Sequence, residues 1–334
     1  MDQDYRPSVA ILVPVHNEEK VISAKLKNLA EITYPRDKLE VILIDDASTD
    51  ETLARVQEFS EKCPFTLRVL KQNTRSGKAG ALNKGLAVVS KEIVVVSDAD
   101  AVLPPDVLYN ALPYLSDPTV GALTGLVIAK NPDQSWVTKA EKGYLGLMFL
   151  LRVGESKLHS TLRFEGCFCA YKKSVLEKFD DESGSDDCGT ALMIVQSGCR
   201  AILVPEVQAI TDVPNNLKER TKIKMRRATQ LTGLWVQCLK LFLKGRLMLP
   251  KRIALPEIFI SIINPFVFGA LVIVTFVLVA YHSILAVFLI LCFCILILIP
   301  KTRNFLLQGI IDQMTLMCSL ILYASKKKFV TWDK

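Results

Sequence analysis

Four short apolar runs rich in β-branched residues alternate with helix-like segments over the first 130 residues. The runs are Val9–Val13, Glu40–Ile44, Thr66–Leu70 and Ile93–Ser97, and the helical segments lie near residues 18–30, 49–62 and 79–90. Continuous apolar strands separated by helices are typical of a parallel sheet whose two faces are both covered. The pattern therefore predicts an α/β domain, and ligands of such sheets bind beyond the carboxyl ends of the strands.

A basic stretch follows an apolar, aromatic-bearing helix predicted near residues 134–156. Between Pro214 and Arg252 there are eleven Lys or Arg residues and one acid, interleaved with leucines and aromatic residues. This composition predicts basic amphipathic helices, about 214–252, that lie on an anionic membrane surface. A DNA-binding helix is the alternative, but the apolar segment that follows argues against it, so no nucleic-acid partner is expected.

An uncharged run covers residues 258–299, in which 42 consecutive residues contain no Asp, Glu, Lys or Arg. One spanning helix needs about 20 residues. We predict a hairpin of two membrane helices, near 258–280 and 284–299, with its turn at 281–283. Basic residues flank both ends of the hairpin, and the positive-inside rule places both flanks in the cytoplasm. The expected location is multi-pass in the plasma membrane, with the catalytic domain cytoplasmic.

The segment at 305–323 is less apolar, because Asp312 interrupts it. We predict an amphipathic helix along the cytoplasmic face in preference to a third span. The predicted organisation is a catalytic domain at 1–235, including the first part of the basic interface helices, then a transmembrane hairpin at 253–300. An interfacial helix with a basic tail occupies 301–334.

Composition and the spacing of cysteines and histidines exclude several kinds of binding site. The 334 residues carry 41 Lys and Arg against 34 Asp and Glu, a net charge of +7 that does not by itself indicate nucleic-acid binding. The nine cysteines lack the spacing of a disulfide framework or a zinc site, so we expect reduced thiols. The three histidines are far apart in sequence, which excludes a His-rich metal site.

Polar clusters follow the first two predicted strands. The first strand ends in Pro14-Val15-His16-Asn17-Glu18, and the second runs into Asp45-Asp46-Ala47-Ser48-Thr49-Asp50. Ser48 and Glu51 have the spacing of a capping box, which predicts the start of a helix there. Asp50 is either a helix cap or part of the site. Asp45 or Asp46, exposed at the top of the sheet, could accept hydrogen bonds from a uracil N–H or a ribose hydroxyl.

Two further segments carry charge suited to a diphosphate. The block from Lys78 to Asn83 (KAGALN) combines a glycine-containing helix start, which favours anions, with a lysine; its spacing is not that of a Walker A loop. Asp98 and Asp100 follow the fourth strand, and alternate residues of an extended segment share one side. Such a pair suits Mg²⁺ or Mn²⁺ shared with a diphosphate, the alternative being a solvated acid pair.

Downstream, Ser185-Asp186-Asp187 opens another predicted helix. Its acids are either partners of the helix dipole or include a general base.

In this order and spacing, the motifs resemble glycosyltransferase family 2, in the branch of cellulose, hyaluronan and poly-N-acetylglucosamine synthases and their single-addition relatives. The resemblance covers residues 8–230 and implies a GT-A fold, with a Rossmann-like, mostly parallel sheet, helices on both faces and C-terminal membrane helices. It implies Asp187 as catalytic base, although Ser-Asp stands here where the family has Thr-Glu. It implies Mg²⁺ or Mn²⁺ on Asp98 and Asp100. The implied nucleotide-binding residues are Pro14, His16, Glu18, Asp46, Lys78, Asp98 and Arg227, and the implied acceptor-side residues are Gly166, Asp186 and Lys224.

The activity implied is inverting transfer of a sugar from a nucleotide-sugar, a UDP-sugar, to a lipid-linked or saccharide acceptor presented at the membrane lipids. The polymerising relatives carry Q-x-x-R-W after the base. Here Lys224 replaces Gln, Arg227 keeps the Arg, and Ala228 replaces the Trp that stacks on the acceptor sugar. We therefore predict addition of one or very few sugars. The alternatives are a polyprenyl-phosphate sugar synthase and an inactive membrane scaffold that retains the fold.

Overall fold

A computed structural model describes residues 1–183, 185–281, 284, 287–288, 291 and 300–325. The described chain divides into two compact units. The N-terminal unit comprises Met1–Asn215 with Met248–Pro250, and the helical unit comprises Asn216–Leu247 with the described residues from Lys251 onward. All seven cysteines in the described part of the chain are free thiols, as predicted.

The N-terminal unit is built on a sheet with strand order β3-β2-β1-β4-β6-β5-β7 in the described residues. The strands are β1 (Val9–Val15), β2 (Leu39–Asp45), β3 (Thr66–Lys71), β4 (Ile93–Val96), β5 (Val120–Ala129), β6 (Cys169–Lys172) and β7 (Arg200–Thr211). Strand β6 is antiparallel to both of its neighbours, and the other pairs are parallel. The prediction of a mostly parallel sheet is confirmed.

Helices cover both faces of this sheet. They are α1 (Ile22–Ala30), α2 (Thr52–Ser60), α3 (Gly77–Leu86), α4 (Val107–Leu115), α5 (Trp136–Leu158) and α6 (Asp186–Gln196). Every residue of β1 is buried. Its alternate residues from Val9 pack in one core with α1 and α4, while Leu12 faces Gly85 of α3 on the opposite side. Burial on both faces explains why this strand reads as a continuous apolar run.

Pro14 lies within β1, in the interior of the sheet. Strand β1 pairs with β2 along its whole length, from Val9 to Val15, but its pairing with β4 stops at Leu12. Proline has no N–H to donate to a neighbouring strand. Its position past the end of β4 removes the need for that donor on one side, and the chain can leave the sheet there.

The helical unit contains α7 (Leu217–Leu243), α8 (Lys251–Ile258), a π-helical turn (Phe259–Ile263), α9 (Asn264–Ala280) and α10 (Pro300–Ala324). Helix α7 continues through residue 235, and the boundary between the two compact units lies before Asn216. The end of the catalytic domain at residue 235 stays a prediction. Among the described residues, one helix, Lys251–Ala280, is long and apolar enough to cross a membrane. Most of the predicted second span, 284–299, lies outside the described residues.

Polar contacts join α7 to α10 within the helical unit. The Lys224 Nζ lies 2.8 Å from Asp312 Oδ1, and the hydroxyls of Thr232 and Ser319 are 2.7 Å apart. Asp312, the residue that interrupts the apolar pattern of 305–323, therefore has a cationic partner on another helix. The segment is helical, and its placement along a membrane face stays a prediction.

Candidate active site

The loops after β1 and β2 are hydrogen-bonded to each other at the carboxyl edge of the sheet. His16 Nδ1 lies 2.8 Å from the Asp46 carbonyl oxygen, and Asn17 Oδ1 accepts from the Thr49 N–H at 2.8 Å. Asn17 and Ala47 have positive φ angles of 54° and 59°. Non-glycine residues adopt this conformation rarely, and such strain concentrates at functional sites. The predicted nucleotide-binding His16 and Glu18 are half-buried in these joined loops.

Asp46 is completely buried, so the prediction of an acid exposed at the top of the sheet is wrong. Its Oδ1 accepts from the Ser76 N–H at 2.7 Å, and its Oδ2 accepts from the Gly77 N–H at 2.8 Å. Helix α3 starts at Gly77, and its first N–H groups have no partner within the helix. Asp46, the residue after β2, therefore caps α3, and Asp45 is buried as well.

The predicted capping box at Ser48 and Glu51 is also wrong. Helix α2 begins at Thr52 without a hydrogen bond from the side chain of its N-cap residue, Glu51. Asp50 Oδ1 accepts instead from the Thr52 N–H at 3.0 Å and from the Thr52 hydroxyl at 2.5 Å. These bonds hold the pKa of Asp50 below its usual value although burial opposes them, and they make Asp50 a cap.

Lys78, in the first turn of α3, is the centre of the charged cluster. Its ammonium lies 2.7 Å from Asp98 Oδ1 and 3.4 Å from Asp186 Oδ2, and the lysine side chain is 12% exposed. Burial alone would lower the pKa of Lys78, but the carboxylates of Asp186, Asp98 and Asp187 outweigh it and raise the pKa well above its usual value. The ammonium therefore stays charged at neutral pH and joins two acids that are distant in sequence.

The two adjacent acids at the start of α6 have different surroundings. Burial raises the pKa of Asp186 to about 6; the carboxylates of Asp187 and Asp98 add to this effect, while Lys78 opposes it. Asp187 Oδ1 accepts from the Ser185 hydroxyl and from the Cys188 N–H, each at 2.7 Å. Asp186 thus belongs to the lysine cluster, and Asp187 is held by its own helix start.

Gly166 closes the cluster from the loop before β6. A Cβ atom at this position would collide with the Lys78 ammonium and lie 3.0 Å from Asp98 Oδ2. The Gly166 carbonyl oxygen also accepts from the Asp98 N–H at 3.1 Å. The absence of a side chain at residue 166 is what allows Lys78 and Asp98 to meet beside this loop.

Asp98 and Asp100 are not on an extended segment, contrary to the geometry we assumed. Strand β4 ends at Val96, and the Ala101 N–H donates to the Asp98 carbonyl across a turn at 3.3 Å. Asp98 faces Lys78, while Asp100 is exposed. Alternation along a strand therefore gives no reason for these two carboxylates to share a side.

A buried lysine missed by the sequence reasoning holds this turn. Lys25 Nζ donates to Ser97 Oγ at 2.7 Å and to the Ala101 carbonyl at 2.6 Å, on the two sides of Asp98 and Asp100. Burial lowers the pKa of Lys25 to about 8, although the nearby acids oppose this shift. The available signal was its position on α1, in the same helical stripe as the buried Ile22, Leu26 and Leu29.

Asn83 ends the KAGALN block, but sequence reasoning assigned it no contact of its own. Its side-chain amide donates to the Phe179 carbonyl at 3.0 Å and accepts from the Phe179 N–H at 2.7 Å. Phe179 leads into the segment that carries Asp186 and Asp187. The position of Asn83 on the same helix as Lys78 was the signal, because one helix then supports both the lysine and the acids.

A divalent cation fits the charge of this cluster. Three carboxylates, those of Asp98, Asp186 and Asp187, act on the single ammonium of Lys78. No group of three or more His, Cys, Asp or Glu side chains in the described residues is arranged to hold a metal by itself. Mg²⁺ commonly binds through one or two carboxylates together with substrate phosphates. This excess of negative charge suits a cation that binds together with a diphosphate, and Asp98 is the acid that the cluster shares with the predicted metal pair.

The remaining predicted residues lie on α7 in the helical unit. These are Arg227 and Lys224, and Lys224 forms the ion pair with Asp312. Ala228, which stands in the place of the family's Trp, is 8% exposed. Their part in binding stays a prediction.

A family model described as glycosyl transferase family 2 matches residues 10–180. The probable glycosyltransferase YdaM of Bacillus subtilis is 29% identical over 239 residues, which cover 68% of this chain and 56% of that protein. The beta-monoglucosyldiacylglycerol synthase of Synechocystis sp. is 41% identical over 143 residues, covering 42% of this chain and 30% of that protein. The chain thus spans little more than half of the first relative and less than a third of the second.

A solved structure matches over almost the whole chain. The mannosyltransferase PcManGT from Pyrobaculum calidifontis, in complex with GDP-Man and Mn²⁺, is 33% identical with a TM-score of 0.82. The match covers 98% of this chain and 89% of that one.

Proposed function

Because the chain belongs to glycosyl transferase family 2, we propose that it transfers a sugar from a nucleotide-sugar donor to a lipid-linked or saccharide acceptor presented at a membrane. The observation that carries the proposal is the Lys78 ammonium between Asp98 and Asp186, against the bare backbone of Gly166. A fixed positive charge at the start of a helix, beside acids able to share a cation, suits the diphosphate of such a donor.

The reaction we propose is a single displacement with inversion at the anomeric carbon. Asp187 accepts the proton of the acceptor hydroxyl as that oxygen forms a bond to the anomeric carbon. The bond from the anomeric carbon to the diphosphate oxygen breaks, and the nucleoside diphosphate leaves with the electron pair. Lys78 stabilises the negative charge that develops on the leaving group. Ser185 and the Cys188 N–H hold the Asp187 carboxylate in position through Oδ1.

The residues present also fit a divalent metal. Asp98 and Asp100 would hold Mg²⁺ or Mn²⁺ together with the donor diphosphate, and the solved relative is a complex with Mn²⁺. When bound, the cation supplies positive charge to the diphosphate of the leaving group.

Two features support an acceptor at the membrane. Helix α9 exposes large apolar side chains, among them Leu271, Ile273 and Phe276 at 62%, 65% and 72%. A continuous exposed apolar surface of this kind is typical of a segment that lies in lipid. One relative is named as a glucosyldiacylglycerol synthase, a protein named for a glycolipid product.

The donor nucleotide has two candidates. The family resemblance implies a UDP-sugar, whereas the solved relative contains GDP-Man. The test is a panel of UDP- and GDP-sugars incubated with the full chain in detergent, Mn²⁺ and membrane lipid, with release of nucleoside diphosphate as readout. We expect release from one donor, loss of release in EDTA and recovery with excess Mn²⁺.

Absence of release from every donor would contradict the proposal and favour an inactive scaffold. Undiminished release in EDTA would contradict only the proposed dependence on a metal. A product in which one sugar is linked to a lipid phosphate and freed by mild acid would favour a polyprenyl-phosphate sugar synthase.

A further inference from the structure

Helix α5 buries several polar side chains and exposes several large apolar ones. Its buried residues are mostly polar and include Thr138, Glu141, Arg152 and Ser156. Its exposed residues include Leu147, Leu150 and Leu158, at 51%, 67% and 46% exposure, and Trp136 at 65%. Helices at the surface of soluble proteins bury their apolar face and expose their polar one. The apolar face of α5 is therefore directed away from the sheet on which the helix packs.

Buried hydrogen bonds explain why α5 keeps this orientation. The Arg152 guanidinium lies 3.0 Å from Glu165 Oε1 and donates to the Gly125 carbonyl at 3.2 Å. Ser156 Oγ accepts from the Leu203 N–H at 2.8 Å. Rotation of α5 to bury its leucines would break these bonds. Arg152 would then lose its hydrogen-bond partners, which costs free energy. The apolar face therefore cannot turn inward at low cost.

The exposed apolar residues lie on one side of α5. Trp136, Leu147, Leu151 and Leu158 follow each other at intervals of eleven, four and seven residues, which places them on one side of a helix. We call these four residues, with Leu150, the α5 stripe. Four of these exposed side chains, those of the leucines, lie within about three turns of each other, and Trp136 lies about three turns earlier on the same side. Exposed apolar groups of this kind mark a contact surface.

The exposed charged side chains on α5 itself are lysines. They are Lys139, Lys142 and Lys157, whereas Glu141 is buried and the half-buried Glu155 accepts a hydrogen bond from Thr161 at 2.6 Å. Lys142 forms an ion pair with Asp133, just before α5, at 3.8 Å with both side chains exposed. An exposed pair of this kind contributes little. The flank of the stripe therefore presents cations to whatever covers it.

We propose that α5 is a second membrane contact, lying along a bilayer surface with its stripe among the acyl chains and its lysines among anionic headgroups. Apolar residues flanked by lysines are the pattern of helices that lie in the membrane interface. A second copy of the chain is the less suitable occupant, because a symmetric contact would bring like-charged lysine flanks together. The purpose of this contact is to keep the N-terminal unit beside membrane-presented acceptors. That purpose rests on the proposed function.

The test uses the full chain reconstituted in vesicles of phosphatidylcholine and phosphatidylglycerol, with and without brominated acyl chains. Bromine quenches tryptophan at contact distance, and the contribution of Trp136 is obtained as the difference between the wild type and Trp136→Phe. We expect strong quenching of Trp136 in anionic vesicles and several-fold weaker quenching in vesicles of phosphatidylcholine alone. Equal Trp136 fluorescence with and without brominated anionic lipid would overturn the proposal.

A charge-reversal pair provides the control. We expect the triple variant Lys139→Glu, Lys142→Glu and Lys157→Glu to lose most of the quenching of Trp136. The matched triple variant Lys27→Glu, Lys62→Glu and Lys71→Glu changes exposed lysines on other elements and should keep it. Equal loss in both triple variants, or a dimer that buries Trp136 in detergent, would also overturn the contact. Donor and acceptor are absent from this measurement, so its outcome is independent of whether the proposed transfer occurs.

Discussion

Lys78 shows how distant neighbours give one residue its chemical role. Within its own helix it is one lysine among glycines and alanines; in the fold it lies between Asp98, from the end of β4, and Asp186, from the start of α6. The carboxylates keep it charged despite burial. The position of Lys78 depends on Asp46, which caps the helix start that carries it.

At the residue scale, we expect Gly166→Ala to lower turnover by at least about tenfold. The new Cβ would collide with the Lys78 ammonium and crowd Asp98, and overpacking of this kind costs about 1–3 kcal/mol. Donor binding by calorimetry and turnover by nucleoside diphosphate release are the measurements. Gly146→Ala is the control, because no atom lies within 4 Å of its Cβ position. Equal activity of Gly166→Ala and the wild type would show that the close approach is unimportant.

The two adjacent acids of α6 give a second residue-scale prediction. Asp187→Asn should bind donor like the wild type and lose transfer by about 10²–10⁴-fold, the usual range for a general base. Asp186→Asn removes a partner of Lys78 and should weaken donor binding more than it slows transfer. Calorimetry and a product assay separate the two effects. An active Asp187→Asn beside an inactive Asp186→Asn would mean that the base is Asp186.

At the element scale, side-chain contacts between α7 and α10 compensate for a charge in an apolar helix. Asp312 would be costly in an apolar helix surface without a partner, and Lys224 supplies one at 2.8 Å. Both side chains are partly buried, at 12% and 33% exposure, so the pair is less screened by solvent than a surface pair. The basic composition of α7 thus has a structural use at this position.

We expect Lys224→Ala and Asp312→Ala each to destabilise the chain in detergent by about 1.5–3 kcal/mol, the range for a hydrogen bond to a charged group. Exchange of the two charges, Lys224→Asp with Asp312→Lys, should restore most of the thermal midpoint. Lys240→Ala, an exposed lysine of the same helix, is the control. A charge exchange no more stable than the single variants would exclude a direct contribution of the pair.

At the scale of the whole molecule, the length of the product tests how the chain differs from polymer synthases. Ala228 replaces the Trp of the polymerising relatives and is itself buried, so α7 offers no aromatic platform at this position. With excess donor we expect products that carry one or very few added sugars, resolved by mass spectrometry. A ladder of tens of sugars from single enzyme encounters would contradict this prediction.

Strands β1 to β4 with the helices between them, helix α5 and the apolar helix that ends at Ala280 were predictable from the sequence alone, because they depend on local periodicity and composition. Strands β5, β6 and β7 were not predicted. The family motifs also identified Lys78, Asp98 and the acids of α6 as candidates. Only the tertiary structure decided which acids surround Lys78, that Asp46 is buried under α3, and that Lys25 holds the turn after β4. The physical reason is that a backbone pattern is set by neighbours a few residues away, whereas a buried polar group takes partners that the order of the strands brings to it.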